Sequence, residues 1–165
     1  MKRPGAGIGI SVRAASPDDA ALVHRLTLDA WSGTVAADST LYDETTETVE
    51  RVLAEGGALI LEVGGVPAGC VRHLPVAGDE RCWEVKRLGV SRARRGRGLG
   101  LLLMEAVESL ARERGVRRIQ LGVRRDQPRL LAFYAAQGYR ADPSVRLGSS
   151  NSRTGPPYTL SKEIA

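Results

Sequence analysis

Seven residues, Arg95-Gly96-Arg97-Gly98-Leu99-Gly100-Leu101, carry the plainest chemical signal in this chain. Three glycines alternate with other residues just ahead of an apolar run, Leu101-Leu102-Leu103, that reads as the start of a helix. Glycine accepts positive φ and lets a bulky group approach the main chain. Successive N–H groups of such a turn converge on one point, and the helix behind it adds its dipole. The natural guest of this anion cradle is a phosphate or pyrophosphate, and Arg95 and Arg97 add positive charge beside it. A P-loop would need Lys-Ser/Thr after its last glycine, where Leu101 stands. The dinucleotide fingerprint would need a third glycine at the same place. What remains is Arg95-x-x-Gly98-x-Gly100.

That pattern follows a strand-like Glu84-x-Lys86-x-Leu88-x-Val90 and precedes Phe133-Tyr134 and Gly138-Tyr139. Together these residues resemble the GNAT acyltransferase superfamily, whose acetyl-CoA pyrophosphate loop reads Gln/Arg-x-x-Gly-x-Gly/Ala. The motif-bearing stretch, Cys82 to Tyr139, spans 58 of 165 residues. The resemblance implies a single α/β (α+β) domain over residues 1–165, with a mixed, mainly antiparallel, centrally splayed sheet and helices on both faces. It implies acetyl-CoA as cosubstrate, with no metal. The cofactor would be held by Arg95, Gly96, Arg97, Gly98, Leu99, Gly100 and Leu101, with Phe133 nearby. Its pantetheine arm would run beside Leu88, Gly89 and Val90. In the family that strand bulges, and Gly89 suits such a kink, although a glycine also simply weakens a strand. Gln127 stands where many members carry an asparagine touching the cofactor; its amide is kept on a longer side chain.

Acetyl transfer to an amine needs a neutral nucleophile, donors for the developing oxyanion, and a proton for the departing thiolate. Tyr134 falls where the family's tyrosine hydroxyl meets the thioester sulfur. A phenol, with a pKa near 10 against a thiol's roughly 8.5, suits that role; the alternative is a packing tyrosine. Glu84 is the candidate base, acting directly or through water. Alternation puts it on one strand face with Lys86, Leu88 and Val90; the alternative is a surface glutamate paired with Lys86. His73 is a second choice of base, and Asp43 and Glu44 could hold a cationic acceptor. The oxyanion donor is expected among backbone N–H groups near Leu88 to Val90. The acceptor is expected to be a small primary amine. Rival readings are a peptide N-terminal or lysine acetyltransferase, a non-catalytic acyl-CoA-binding regulatory module, and a nucleic-acid binder.

The elements that must position these groups read in order. Residues 1–7 form a lead-in expected to be flexible. Ile8 to about Arg13 alternates as a strand. Ser16-Pro17-Asp18-Asp19 opens a helix with a cap, an early proline and acids that suit the dipole. Leu22, Leu26 and Ala30 continue it toward Ser32-Gly33, with Val23 and Trp31 flanking. A second helix starts near Thr46 and stops at Gly56-Gly57. Ala58–Val63, a Gly64-Gly65 turn, Pro67–Leu74, and Cys82–Val90 form a meander. The helix after Gly100 should face inward with Leu103, Ala106, Val107 and Leu110, and outward with Glu105, Glu108 and Arg112. Arg117–Val123 is the next strand, reached by a crossover long enough to be parallel. A helix from Asp126-Gln127-Pro128 ends at Gly138. Tyr139–Ala141 and Tyr158–Glu163 close as a hairpin around a long polar loop, Leu147–Pro157.

Composition fits this reading. The length suits one domain with a full core. The net charge is +5, concentrated in Lys86, Arg87, Arg92, Arg94, Arg95, Arg97 and the arginines that follow. A small polyanion such as coenzyme A, or plain solvation, accounts for that cluster better than nucleic acid, because no interleaved aromatics accompany it. Cys70 and Cys82 form no metal or redox motif. No signal peptide or membrane span is visible. A cytoplasmic protein is expected, with neither nucleic acid nor membrane as partner; a homodimer fits without being required.

Overall fold

The computed structural model describes residues 8–148 and 155–164; the expected flexible lead-in and positions 149–154 of the polar loop lie outside them. Strands β1 (Ile10–Ala14), β2 (Gly57–Val63), β3 (Val66–Val76) and β4 (Asp79–Val90) pair antiparallel in sequence order. Short glycine turns connect the meander, with Gly64, Gly65 and Gly78 all at positive φ. Helices α1 (Ala20–Trp31) and α2 (Thr46–Glu55) lie between β1 and β2 in sequence. After β4 come α3 (Leu99–Glu113), β5 (Arg118–Val123), α4 (Arg129–Ala135), β6 (Arg140–Ala141) and β7 (Tyr158–Glu163). The sheet order is β1-β2-β3-β4-β5-β7-β6. Only β4 and β5 run parallel, and β7 pairs antiparallel with both β5 and β6.

Two apolar layers cover the sheet. One face buries Leu61, Val71, Trp83 and Ile119 against Leu103, Met104 and Val107 of α3. The other buries Ile60 and Cys70 against Val23 and Leu26 of α1 and Val49 of α2. No helix among the described residues is long and apolar enough to cross a membrane.

The parallel pairing of β4 with β5 is brief. It covers Cys82↔Arg118, Trp83↔Ile119 and Glu84↔Gln120, and then stops, although β4 runs on to Val90 and β5 to Val123. From Val85 onward the two strands diverge, and this is the expected central splay.

Beside the splay, β4 carries a bulge against β3. Cys70 opposes Gly89 and Arg72 opposes Lys86, so β4 spends one residue more than its partner. The extra residue is beside Arg87, whose φ is +54°, rather than at Gly89 as expected. Gly89 answers a different need. A Cβ there would lie 2.6 Å from the Ala30 Cβ and 3.0 Å from Trp31 Nε1, so its bare α-carbon lets α1 press onto β4. The bulge also resets which side chains share a face. Glu84 and Lys86 form an ion pair on the α1 side, whereas Leu88 and Val90 pack against the α3 layer. The expected common face of these four residues is therefore split in two.

A second expectation also fails. Glu108 does not point outward from α3 but is 6% exposed. Its carboxylate accepts from the Tyr139 hydroxyl at 3.0 Å and from Lys162 Nζ at 2.9 and 3.0 Å, and pairs with Arg112. A charge this far inside is tolerable only with such partners.

Candidate active site

The glycine turn is open in the way its spacing predicts. Gly96 and Gly98 sit at φ +77° and +72°, and Gly98 is the residue from which α3 starts. The Leu102 N–H makes the first backbone bond of the helix, to the Gly98 carbonyl at 3.2 Å. Among the described residues, no protein acceptor meets the N–H groups of residues 96–101. These N–H groups lie at the positive end of a 15-residue helix. Phe133 of α4 approaches from one side, with its Cζ 3.6 Å from where a Gly100 side chain would begin. The Arg95 guanidinium is turned the other way. It donates to the carbonyls of Ala30 and Val90, tying the turn to the C-terminus of α1 and the end of β4.

A cleft of about 120 Å³ opens in the splay, and no residue of the turn lines it. One wall is Val85, Lys86, Arg87 and Leu88 of β4; the other is Leu121, Gly122 and Val123 of β5 with Arg124. Trp31, Gln127, Leu130 and Tyr134 close it. The Trp31 indole donates to the Leu88 carbonyl at 3.0 Å, which fixes α1 against the diverging strand. Gln127 is 5% exposed and donates from Nε2 to the Thr34 carbonyl at 2.8 Å. Its Oε1 is buried with no donor. A buried acceptor left alone is costly, so this oxygen suits a ligand amide. Tyr134 is buried between the rings of Phe133 and Tyr139. Burial pushes its phenol well above the ordinary value, so it stays protonated across the physiological range.

Glu84 sits at the pinch where β4 and β5 meet and does not itself line the cleft. Its Oε1 accepts from Gln120 Nε2 at 3.3 Å and from the Gly148 N–H at 2.9 Å, and its Oε2 lies 3.1 Å from Lys86 Nζ. Lys86 is thus the link between the carboxylate and the cleft. His73 lies on the opposite face, stacked on Trp83 at 4.1 Å; burial lowers its pKa to about 4. Glu44 is not open to a cationic acceptor. Arg72 grips it with two hydrogen bonds of 2.8 and 2.9 Å, and Arg87 adds a third at 3.2 Å. Burial opposes ionisation of Glu44, but bonds and charge from Arg72 and charge from Arg87 outweigh it and hold the carboxyl below its ordinary range. Arg72 also donates to Thr27 Oγ1 at 3.0 Å, and Arg87 to Thr40 Oγ1 at 3.3 Å. This network straps the connection between α1 and α2 onto β3 and β4.

Sequence reasoning named Tyr134 and Gln127, which both line the cleft, and the turn, which does not. It missed Trp31 as a cleft wall and gave Arg72, Gln120 and Gly148 no part. These contacts span 26 to 64 positions in sequence, and local periodicity is blind to them.

A sequence model described as the Acetyltransferase (GNAT) family matches residues 23–139. The chain belongs to the GNAT acetyltransferase family. It is therefore an acyltransferase, and residues 23–139 include the turn, the splayed strands and Tyr134. Solved structures share the fold at low identity. The PaiA N-acetyltransferase of Thermoplasma acidophilum, solved in complex with coenzyme A, is 15% identical with a TM-score of 0.76, covering 94% of this chain and 99% of that one. A putative GNAT acetyltransferase from Desulfovibrio desulfuricans is 20% identical, with a TM-score of 0.76 and coverage of 95% and 100%. Ard1 from Thermoplasma volcanium is 22% identical, with a TM-score of 0.74 and coverage of 94% and 98%.

Proposed function

We propose that this acetyltransferase uses acetyl-CoA to acetylate the primary amine of a small molecule. Two features carry the reading: N–H groups at residues 96–101 that meet no protein acceptor among the described residues, and a β4–β5 cleft lined by Leu88, Gln127 and Tyr134. Acetyl-CoA would supply a diphosphate for the turn, amides for the arm, and an activated acetyl group. Residues Gly96 to Leu101 would bind the diphosphate through the main chain, flanked by Arg97. The arm would run beside Leu88, Gly89 and Val90, the Oε1 of Gln127 would accept from one of its amides, and Phe133 would cover it.

Glu84 would draw the proton from the acceptor amine through Lys86 or water. As the amine nitrogen bonds to the acetyl carbon and the carbon–sulfur bond breaks, the Tyr134 hydroxyl would give its proton to the sulfur. A backbone N–H on the splayed end of β4 would stabilise negative charge growing on the carbonyl oxygen.

The test is acetyl-CoA-dependent thiol release over a panel of amines and short peptides, with Y134F and E84Q. Loss of general acid–base help costs about 10²–10⁴-fold in kcat. Each variant should fall in that range while the KM for acetyl-CoA changes little. Because burial raises the Tyr134 pKa, wild-type kcat should show no alkaline loss up to about pH 10, the ordinary phenol value. Unchanged turnover in both variants would remove the assigned roles.

A further inference from the structure

We infer that the acceptor carries an anionic group, a carboxylate or phosphate, near its reacting amine, and that Arg87 receives it. This rests on the acetyltransferase reading and narrows its substrate class.

The cleft walls hold three cations, Lys86, Arg87 and Arg124, and no carboxylate. The acids just behind them do not balance the charge. Glu84 pairs with Lys86, Asp126 with Arg124, and Glu44 is shared by Arg72 and Arg87. In these pairs four cations meet three carboxylates. Arg87 is where the surplus emerges. Its Nε and Nη2 are committed to Glu44 and Thr40, and among the described residues Nη1 has no acceptor. The bulge, with its positive φ, carries Arg87 onto the side of Glu44 and Thr40, where alternation alone would have sent it toward α3. The side chain remains 23% exposed on the cleft wall.

The cofactor does not account for this site. The turn takes the diphosphate, and Arg87 lies three residues deeper along β4 than Val90, about 10 Å in extended chain. The pantetheine arm that passes there is uncharged. An anion meeting Arg87 therefore comes from the other substrate. A charge-assisted bond to a guanidinium in a partly desolvated cleft is strong and directional. The same positive field disfavours an ammonium beside it, so the reacting amine is held neutral and nucleophilic. A polyamine would meet that field with no carboxylate to offset it.

The experiment compares matched acceptors on the wild-type protein: free amino acids, the corresponding amino-acid amides, phosphoethanolamine and a polyamine, read by thiol release. The expected result is kcat/KM at least about tenfold higher for an anionic acceptor than for its uncharged match, as loss of one charge-assisted contact implies. R87Q should abolish that preference by raising KM for the anionic acceptor, with KM for acetyl-CoA unchanged. If R87Q does not fold, the wild-type ratio alone decides. Equal or better turnover of amides or polyamine overturns the inference and leaves the acetyltransferase reading standing. Calorimetric binding of acetyl-CoA without release on any anionic arm also overturns it. No calorimetric response to acetyl-CoA from folded protein overturns both.

Discussion

His73 shows how a residue suited to chemistry can serve packing instead. It is 3% exposed, stacked on Trp83, and its Nδ1 has no partner. Its pKa falls to about 4, because burial and then the charge of Arg114 disfavour the imidazolium. The unfolded chain, with an ordinary histidine value near 6.5, binds a proton more readily than the fold does. The contribution of His73 is therefore fully present above about pH 6.5 and is lost as pH falls toward 4, on the order of 3 kcal/mol in all. Urea unfolding should show stability declining across that window, and H73F should flatten the decline. At this scale the sequence was informative where a role follows from the residue and its nearest neighbours, as for the glycines at 96 and 98. It misled at Glu108, which lies on an outward-reading stripe yet finds Tyr139 and Lys162 from a distant hairpin.

At the scale of elements, β4 does the most positioning. Its alternation was legible, and so was its place before the glycine turn. The bulge was expected but misplaced. Gly89 attracted attention as the residue best suited to a kink, whereas the positive φ fell on Arg87, a type that rarely adopts it. Nothing in a single sequence marks an arginine for that conformation. The role of Gly89 predicts a specific defect. G89A would force α1 away from β4, because the added methyl meets Ala30 and the Trp31 indole. Overpacking of this kind costs about 1–3 kcal/mol. The Trp31–Leu88 bond should weaken with it, so thermal melting should drop while KM for acetyl-CoA rises.

Across the whole molecule, the meander, the parallel crossover and the closing hairpin were legible, because short turns and the crossover leave few alternatives; the places of β1 beside β2 and of β7 beside β5 were not. The connection between α1 and α2 was not: its anchors come from distant elements, with Glu44 between two arginines of the meander and Thr34 and Ser39 held by Gln127 and Arg124. A comparable anchor joins α3 to the closing hairpin. E108A would strip the half-buried Lys162 and the buried Tyr139 hydroxyl of their shared acceptor. Removing one partner of such a network costs about 3–5 kcal/mol. Urea denaturation should register a loss of that order. Tyr139 also flanks Tyr134, so kcat should fall as well.

Among the described residues, three rungs between β4 and β5 are the strand pairing that joins the meander half of the sheet to the closing half, beside a shared apolar core. Beyond them the halves stand apart like boards joined by a short hinge, and a cosubstrate lying between would complete the joinery from its own amides. Saturating cosubstrate would then resist unfolding in proportion to the logarithm of its concentration over Kd. Cohesion of the fold and grip on the acyl donor would be one free energy, read from two sides.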